Sequence, residues 1–243
     1  MLRFWRLQVI NLESIRKAEK SSHEDIYSNA VLFEKGSWLY KPVKTVMDVL
    51  PLFSDYDSLT VLDLGCGVGR NSIPIAQFCQ NKFSRIDCVD ILDLAIEKLT
   101  EYSKEYGVFH IINGIVSPID EFRITSNSYD FILAVSALEH VDSDESFEIK
   151  LEEIRNGLKE NGVACLIVNS QVVEKNKDNG ELVVPQFEVN YKTDELLSVL
   201  NEKFEGFSIL KSSVVSQNYD IPRDGFVSEL TTDVVTFVAR KSI

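Results

Sequence analysis

An α/β fold with a doubly wound, mostly parallel sheet is what this 243-residue sequence predicts, and three observations carry the prediction. Short continuous apolar runs at Val61–Leu64, Phe131–Val135 and Val163–Val168 have the pattern of strands buried on both faces. Segments of helical periodicity alternate with them, as in a chain that winds strand and helix in turn. The first run passes through Asp63-Leu64 into Gly65-Cys66-Gly67-Val68-Gly69 and then into a helix carrying Ile73, Ile75, Ala76 and Phe78. Glycines let the backbone turn sharply and let a ligand approach the main chain, while the first N–H groups of the new helix point back to the same place. The stretch reads as a strand–turn–helix ligand site.

The elements follow in order. Residues 1–20 alternate apolar and basic side chains, with no apolar run long enough for a signal peptide core or a spanning helix. This segment is expected to pack on the domain or on a second subunit, so a homodimer stays open. Ser22-His23-Glu24-Asp25 reads as a capping box that opens a helix toward Glu34, with Gly36 as its stop. Pro42 starts another helix, with Val43, Val46, Met47, Val49 and Leu50 on its apolar side. Strand two is Ile86 to Asp90. A helix from Asp93 to Gly107 follows, then strand three at Val108 to Ile112. Strand four, Phe131 to Val135, delivers Ser136, Ala137, Glu139 and His140 to the carboxyl edge, where open parallel sheets bind ligands. An acidic helix over 142–153, strand five and a polar loop at 170–192 come next. The chain closes with a helix capped at Thr193 and two strands near 207–215 and 234–239.

Composition excludes several classes. With 38 acidic against 25 basic residues the net charge is −13, which argues against a nucleic-acid partner because a phosphate backbone wants a basic face. No membrane partner is expected, an amphipathic surface helix at 1–20 being less favoured than packing on the domain or a second subunit. Four cysteines (Cys66, Cys79, Cys88, Cys165) show no metal-like or disulfide spacing, so no metal is expected and a reducing, cytoplasmic setting is.

Two acids define the ligand. Asp63 stands two residues before the first glycine, where a carboxylate would oppose a pyrophosphate but suit an ammonium group. Asp90 closes strand two at the distance expected for an acid that grips ribose hydroxyls. The glycine spacing is G-x-G-x-G rather than the G-x-G-x-x-G of dinucleotide sites. A ribose-bearing ligand with a positive end and no phosphates fits both acids.

At these residues the chain resembles the class I S-adenosylmethionine-dependent methyltransferases, whose first motif is D-x-G-x-G-x-G after a strand. Asp90 in Val89-Asp90-Ile91 matches their acid after strand two. Tyr129-Asp130-Phe131-Ile132-Leu133-Ala134-Val135 matches their fourth strand, and Gly157 to Ile167 their turn into strand five. Gly69-Arg70-Asn71-Ser72 is also similar to the tellurite-resistance-type enzymes, which act on small nucleophiles. The resemblance implies a Rossmann-like, seven-stranded sheet with an antiparallel C-terminal strand and a helical cap. It divides a single 1–243 domain into a cap (1–59), a cofactor-binding half (60–169) and a C-terminal half (170–243) with a substrate lid.

It further implies S-adenosyl-L-methionine as cofactor and methyl transfer to a small-molecule acceptor. Asp63, Gly65, Cys66, Gly67 and Arg70 would seat the methionyl end, Asp90 the ribose, and Ile91, Ile115 and Val135 the adenine. In the family the turn after strand three often carries Gly-Asp; here the pair is Gly114-Ile115, with Asn113 as a substitute. Trp38, Tyr40 and Tyr191 are the candidate acceptor contacts, and His140 is the candidate catalytic residue, a base with a useful pKa near neutrality. A cofactor-binding regulator without turnover and a nicotinamide-dependent oxidoreductase stay open as alternatives.

Overall fold

The computed structural model describes residues 27–29, 31–80, 83–223 and 225–242. The expectations for residues 1–20 and for the capping box at 22–25 lie outside the described residues. A single sheet of eight strands runs in the order β3-β2-β1-β4-β5-β8-β7, with β6 paired to β5. The strands are β1 (Thr60–Leu64), β2 (Arg85–Asp90), β3 (Ile112–Val116), β4 (Tyr129–Val135), β5 (Leu158–Asn176), β6 (Leu182–Val183), β7 (Ser208–Arg223) and β8 (Phe226–Arg240). β1 to β5 run parallel to one another, whereas β8 is antiparallel to both β5 and β7. The count is therefore eight rather than seven, because the polar segment after β5 folds back and adds β6.

Helices cover both faces. On one side lie α1 (Lys44–Val49), α2 (Ser72–Phe78) and α3 (Asp93–Glu105), burying Val46, Ile73, Ile75, Ala95 and Leu99 against Val61, Cys88, Phe131 and Leu133. On the other lie α4 (Asp144–Gly157) and α5 (Thr193–Lys203), burying Phe147, Leu151, Ile154, Leu196 and Leu200 against Leu62, Leu64, Ala134 and Leu166. Strand residues alternate between the two cores because side chains in a strand alternate faces. Ser143 caps α4 by accepting from the Ser146 N–H at 3.1 Å, and Asp144 and Glu145 fill its first turn, where the helix dipole favours acids.

Three boundaries differ from expectation. Strand three lies at 112–116, not 108–112. Val108 and Ile111 are buried as a turn under the sheet, and the edge strand itself is half exposed, so it lacks the apolar run that marks a central strand. Strand five does not stop at Val168 but runs to Asn176, overshooting its last pairing with β4 at Ile167 by roughly 30 Å at ~3.3 Å per residue. The last two strands reach well beyond the expected 207–215 and 234–239, since β8 extends alongside β5 and β7 alongside β8. These three strands form a ribbon that rises past the carboxyl edge of β4.

A buried ion pair fastens that ribbon. Arg223 of β7 donates to both oxygens of Glu174 of β5 at 2.7 and 2.6 Å, and Ser228 of β8 donates to Glu174 Oε1. Leaving one buried charge without its partner is costly. Arg223→Met is expected to lower unfolding free energy by about 3 kcal/mol, measured in urea, and Glu174→Leu/Arg223→Met to recover most of the loss.

Candidate functional site

The site is built on the tips of β1, β2 and β4. Gly65 and Gly67 take positive φ (72° and 53°), a region in which side chains are strained. A Cβ on Gly65 would collide with the Cβ of Ala137 and reach Ile119 Cδ1 at 3.8 Å, and one on Gly67 would lie 2.8 Å from the Tyr27 hydroxyl. Only the space on the Cβ side of both glycines is taken by protein: Ala137 brings the turn after β4 against the loop, and the Tyr27 hydroxyl meets it at Gly67. The sequence places Ala137 at the carboxyl edge and marks Tyr27 as an aromatic of the leading segment, but gives no sign of Ile119. The Tyr27 position had no local signal, because it depends on how the cap folds back.

Asp63 and Asp90 lie on the same face of neighbouring strands. Asp90 Oδ2 accepts from Gly67 N at 2.8 Å and Oδ1 from Leu92 N at 3.0 Å, so this acid shapes the loop as well as closing β2. Each carboxylate oxygen has a second lone pair for a ligand hydroxyl. Asp63 is buried and accepts from Ser72 Oγ at 2.5 Å. Burial pushes its carboxyl from 3.8 up to about 7; the Ser72 bond opposes this, the Asp90 charge adds to it and Arg70 opposes it. Two buried acids this close create a negative site that a cation would relieve and a pyrophosphate would aggravate. The donor set therefore fits a nucleoside bearing an ammonium group, which S-adenosylmethionine is.

The three residues after the loop each do a structural job. Arg70 donates to the Trp38 carbonyl at 2.7 Å and stacks 5.1 Å from the Trp38 ring, Asn71 accepts from Val43 N at 2.9 Å, and Ser72 holds Asp63. Together they fasten the cap to the glycine loop. Trp38 also lies 6.2 Å from the Tyr27 ring, which puts it beside the residue that meets Gly67. Tyr40 lies under the Lys41 ammonium at 5.0 Å. Cys66 is buried, its Sγ 3.4 Å from the Gly67 carbonyl, and burial pushes its thiol up, which suits a space-filling role.

The adenine side is only partly as expected. Ile91 stands half exposed directly after Asp90. Ile115 packs toward the α4–α5 core and Val135 toward the α1–α3 core, so the two do not face each other across one slot. Their parity in the sheet decides this, because strand neighbours of opposite parity point apart. Asn113 spends its amide on Asp87 at 2.6 Å, and a Cβ on Gly114 would lie 2.8 Å from Ile96, which explains the glycine by helix packing. The Tyr129-Asp130 pair is also structural: Tyr129 donates to Asp87 at 3.0 Å, and Asp130 accepts from Thr60 N and Lys159.

At the tip of β4, Ser136 takes φ 48°, a strained conformation for a non-glycine residue of the kind held at ligand sites. The turn it opens, Leu138–His140, carries a buried Glu139 and a part-exposed His140. Glu139 Oε1 accepts from Asn169 N at 3.1 Å and Asn169 Nδ2 at 2.6 Å, while Oε2 has no partner among the described residues. Burial raises the Glu139 carboxyl above its usual range. Tyr191 is placed elsewhere: its ring packs 5.4 Å from Phe147 of α4, and its buried hydroxyl, pushed up to about 12 by burial, lies near Asp144 and Glu148. That sets it in the helical layer rather than at the acceptor side. Among the described residues no cluster of three or more His, Cys, Asp or Glu could hold a metal.

Comparison with known proteins agrees with this geometry. Residues 61–162 match the family described as a methyltransferase domain. A ubiquinone biosynthesis O-methyltransferase of Rickettsia canadensis is 32% identical over 114 residues, which cover 47% of this chain and 44% of that protein. Among solved structures, TehB from Haemophilus influenzae superposes with a TM-score of 0.58 at 19% identity, covering 81% of this chain and 62% of that one. The N-methyltransferase NodS from Bradyrhizobium japonicum, in complex with S-adenosyl-L-homocysteine, does so with a TM-score of 0.58 at 13% identity, covering 91% and 97%. The structural matches establish the fold, and the sequence matches span the strands and turns that form the site. Residues 61–162 are thus similar to a methyltransferase domain, on a Rossmann-like α/β fold, and the chain spans less than half the length of the curated O-methyltransferase it matches.

Proposed function

We propose that this chain transfers a methyl group from S-adenosyl-L-methionine to a small-molecule acceptor by in-line displacement. The observation that carries the reading is the pair of buried acids, Asp63 and Asp90, on one face beside the glycine turn. When bound, the cofactor supplies a methyl already activated on a sulfonium, which leaves the protein mainly positioning to do. Asp90 takes the ribose hydroxyls, and the main chain of Gly65, Cys66 and Gly67 lies along the ligand. Asp63 faces the ammonium and Arg70 the carboxylate of the methionyl end, and Ile91 covers the adenine. His140 takes the proton of the acceptor, and Trp38 and Tyr40 close the site from the cap.

The whole chain acts as one domain in this reading, with 60–169 holding the cofactor. The charge of −13 supports a small-molecule acceptor over a nucleic acid. Four free, buried cysteines support a cytoplasmic setting, and among the described residues no helix is long and apolar enough to cross a membrane. Exposed Ile209, Val214 and Val215 on edge strand β7 support a homodimer.

Calorimetry tests the reading. S-adenosyl-L-homocysteine should bind and NAD should not; tight NAD binding would return the oxidoreductase. Release of S-adenosyl-L-homocysteine from S-adenosylmethionine with a panel of small acceptors should follow. Binding with no turnover on any acceptor would favour a regulator.

A further inference from the structure

A second buried acid stands at the proposed base. Glu188, in the segment between β6 and α5, has a fully buried side chain whose Oε2 lies 3.1 Å from His140 Nδ1. The adjacent Phe187 ring stacks on the imidazole, with centroids 5.2 Å apart and planes 24° apart. The segment is not loosely hung. Val189 N donates to the Glu139 carbonyl at 3.0 Å, Asn190 brackets the main chain of Val172 at 2.8 and 2.9 Å, and Gln171 N donates to the Tyr191 carbonyl at 2.7 Å. The overshooting part of β5 thus fixes where Glu188 stands. Of the two acids flanking His140, Glu139 comes from its own turn and spends Oε1 on Asn169, whereas Glu188 comes from the opposite side and meets Nδ1.

We propose that Glu188 is a positioning residue that keeps the hydrogen of His140 on Nδ1 and the lone pair on Nε2, and that the acceptor is therefore a phenolic hydroxyl. The inference rests on the methyl-transfer reading above. A carboxylate on one ring nitrogen fixes the tautomer and supports the imidazolium that forms when the other nitrogen takes a proton. The acceptor O–H bond breaks as the Nε2–H bond forms, and the oxygen pair makes the O–CH3 bond as the S–CH3 pair returns to sulfur. The positive charge that leaves sulfur ends on the imidazolium beside Glu188. A carboxylate acceptor carries no proton at neutral pH, an aliphatic amine is an ammonium there whose charge would stand against the sulfonium, and an aliphatic hydroxyl holds its proton too tightly for an imidazole, so none of these suits a carboxylate-backed base. A phenol does, because its ordinary pKa near 10 lies above neutrality. The Phe187 ring gives such a molecule a flat apolar neighbour.

The test uses the full chain, with wild type beside Glu188→Gln and Glu188→Ala. Nitrogen-15 NMR of the ligand-free protein should show His140 as the Nδ1–H tautomer in wild type and as a mixture in both variants. With catechol as probe acceptor, kcat should fall about 100-fold in Glu188→Ala, while S-adenosyl-L-homocysteine affinity stays within about twofold of wild type. An Nε2–H tautomer in wild type, or an unchanged kcat in Glu188→Ala, would overturn the positioning role. Methylation of benzylamine but not catechol, or no turnover of catechol, would overturn the acceptor class. Failure of S-adenosyl-L-homocysteine to bind wild type would instead remove the methyl-transfer reading, and the tautomer measurement would still judge Glu188.

Discussion

Replacing Asp90 by Ala is expected to weaken S-adenosyl-L-homocysteine binding by roughly 1.5–3 kcal/mol and to destabilise the ligand-free chain by a further ~2–3 kcal/mol. The first loss is the charge-assisted bond to ribose. The second arises because Gly67 N and Leu92 N, now held at 2.8 and 3.0 Å, lose their acceptor in a buried place. Asp90→Asn separates the two effects. Its amide oxygen can still serve one N–H, so part of the stability should return while affinity stays low. Urea unfolding and calorimetry on the same samples read both quantities, and wild-type affinity in the Ala variant would take Asp90 out of the ligand site.

The second large effect is a pH dependence centred on Asp63. Its folded carboxyl is raised from 3.8 to about 7, chiefly by burial. A group raised on folding gives its full stability below the unfolded value and loses it as pH climbs through the folded one. Stability should therefore decline between pH 4 and 7. At about 1.4 kcal/mol per pH unit, that interval corresponds to about 4 kcal/mol from this group. Asp63→Asn should flatten the slope and be about 2–4 kcal/mol more stable than wild type at pH 8, as a charge need no longer be buried. A ligand ammonium favours the ionised acid, so binding near pH 7 should release a fraction of a proton. Calorimetry in two buffers of different ionisation heat detects it, and the Asn variant should lack it. Equal heats in wild type would place the ammonium elsewhere.

Much of the scaffold was legible in the residues. Val61–Leu64, interrupted only by Asp63, and the unbroken Phe131–Val135 read as central strands, because apolar runs bounded by turn signals need two covered faces. Asp63, the glycines and Asp90 lie close in the chain and on adjoining parallel strands, so a local pattern carried their meaning. Strand three was misplaced for the converse reason: an edge strand half in water, Ile112-Asn113-Gly114-Ile115-Val116, has no apolar run to announce it.

What only the tertiary structure decided is everything that depends on distant segments meeting. Sequence order does not say that Tyr27 lies over Gly67, that Ala137 fills the space at Gly65, or that Ile115 and Val135 face different cores. Nor does it say that a polar stretch expected to be a lid would continue β5, turn back, and set Glu188 against His140, 48 residues away in the chain. The sequence by itself determined the tips of β1 and β2, where pattern and neighbourhood coincide. The surroundings of His140 were decided by strand extension and parity, since which face a side chain takes depends on pairing register, and register is fixed by the packing of the whole sheet.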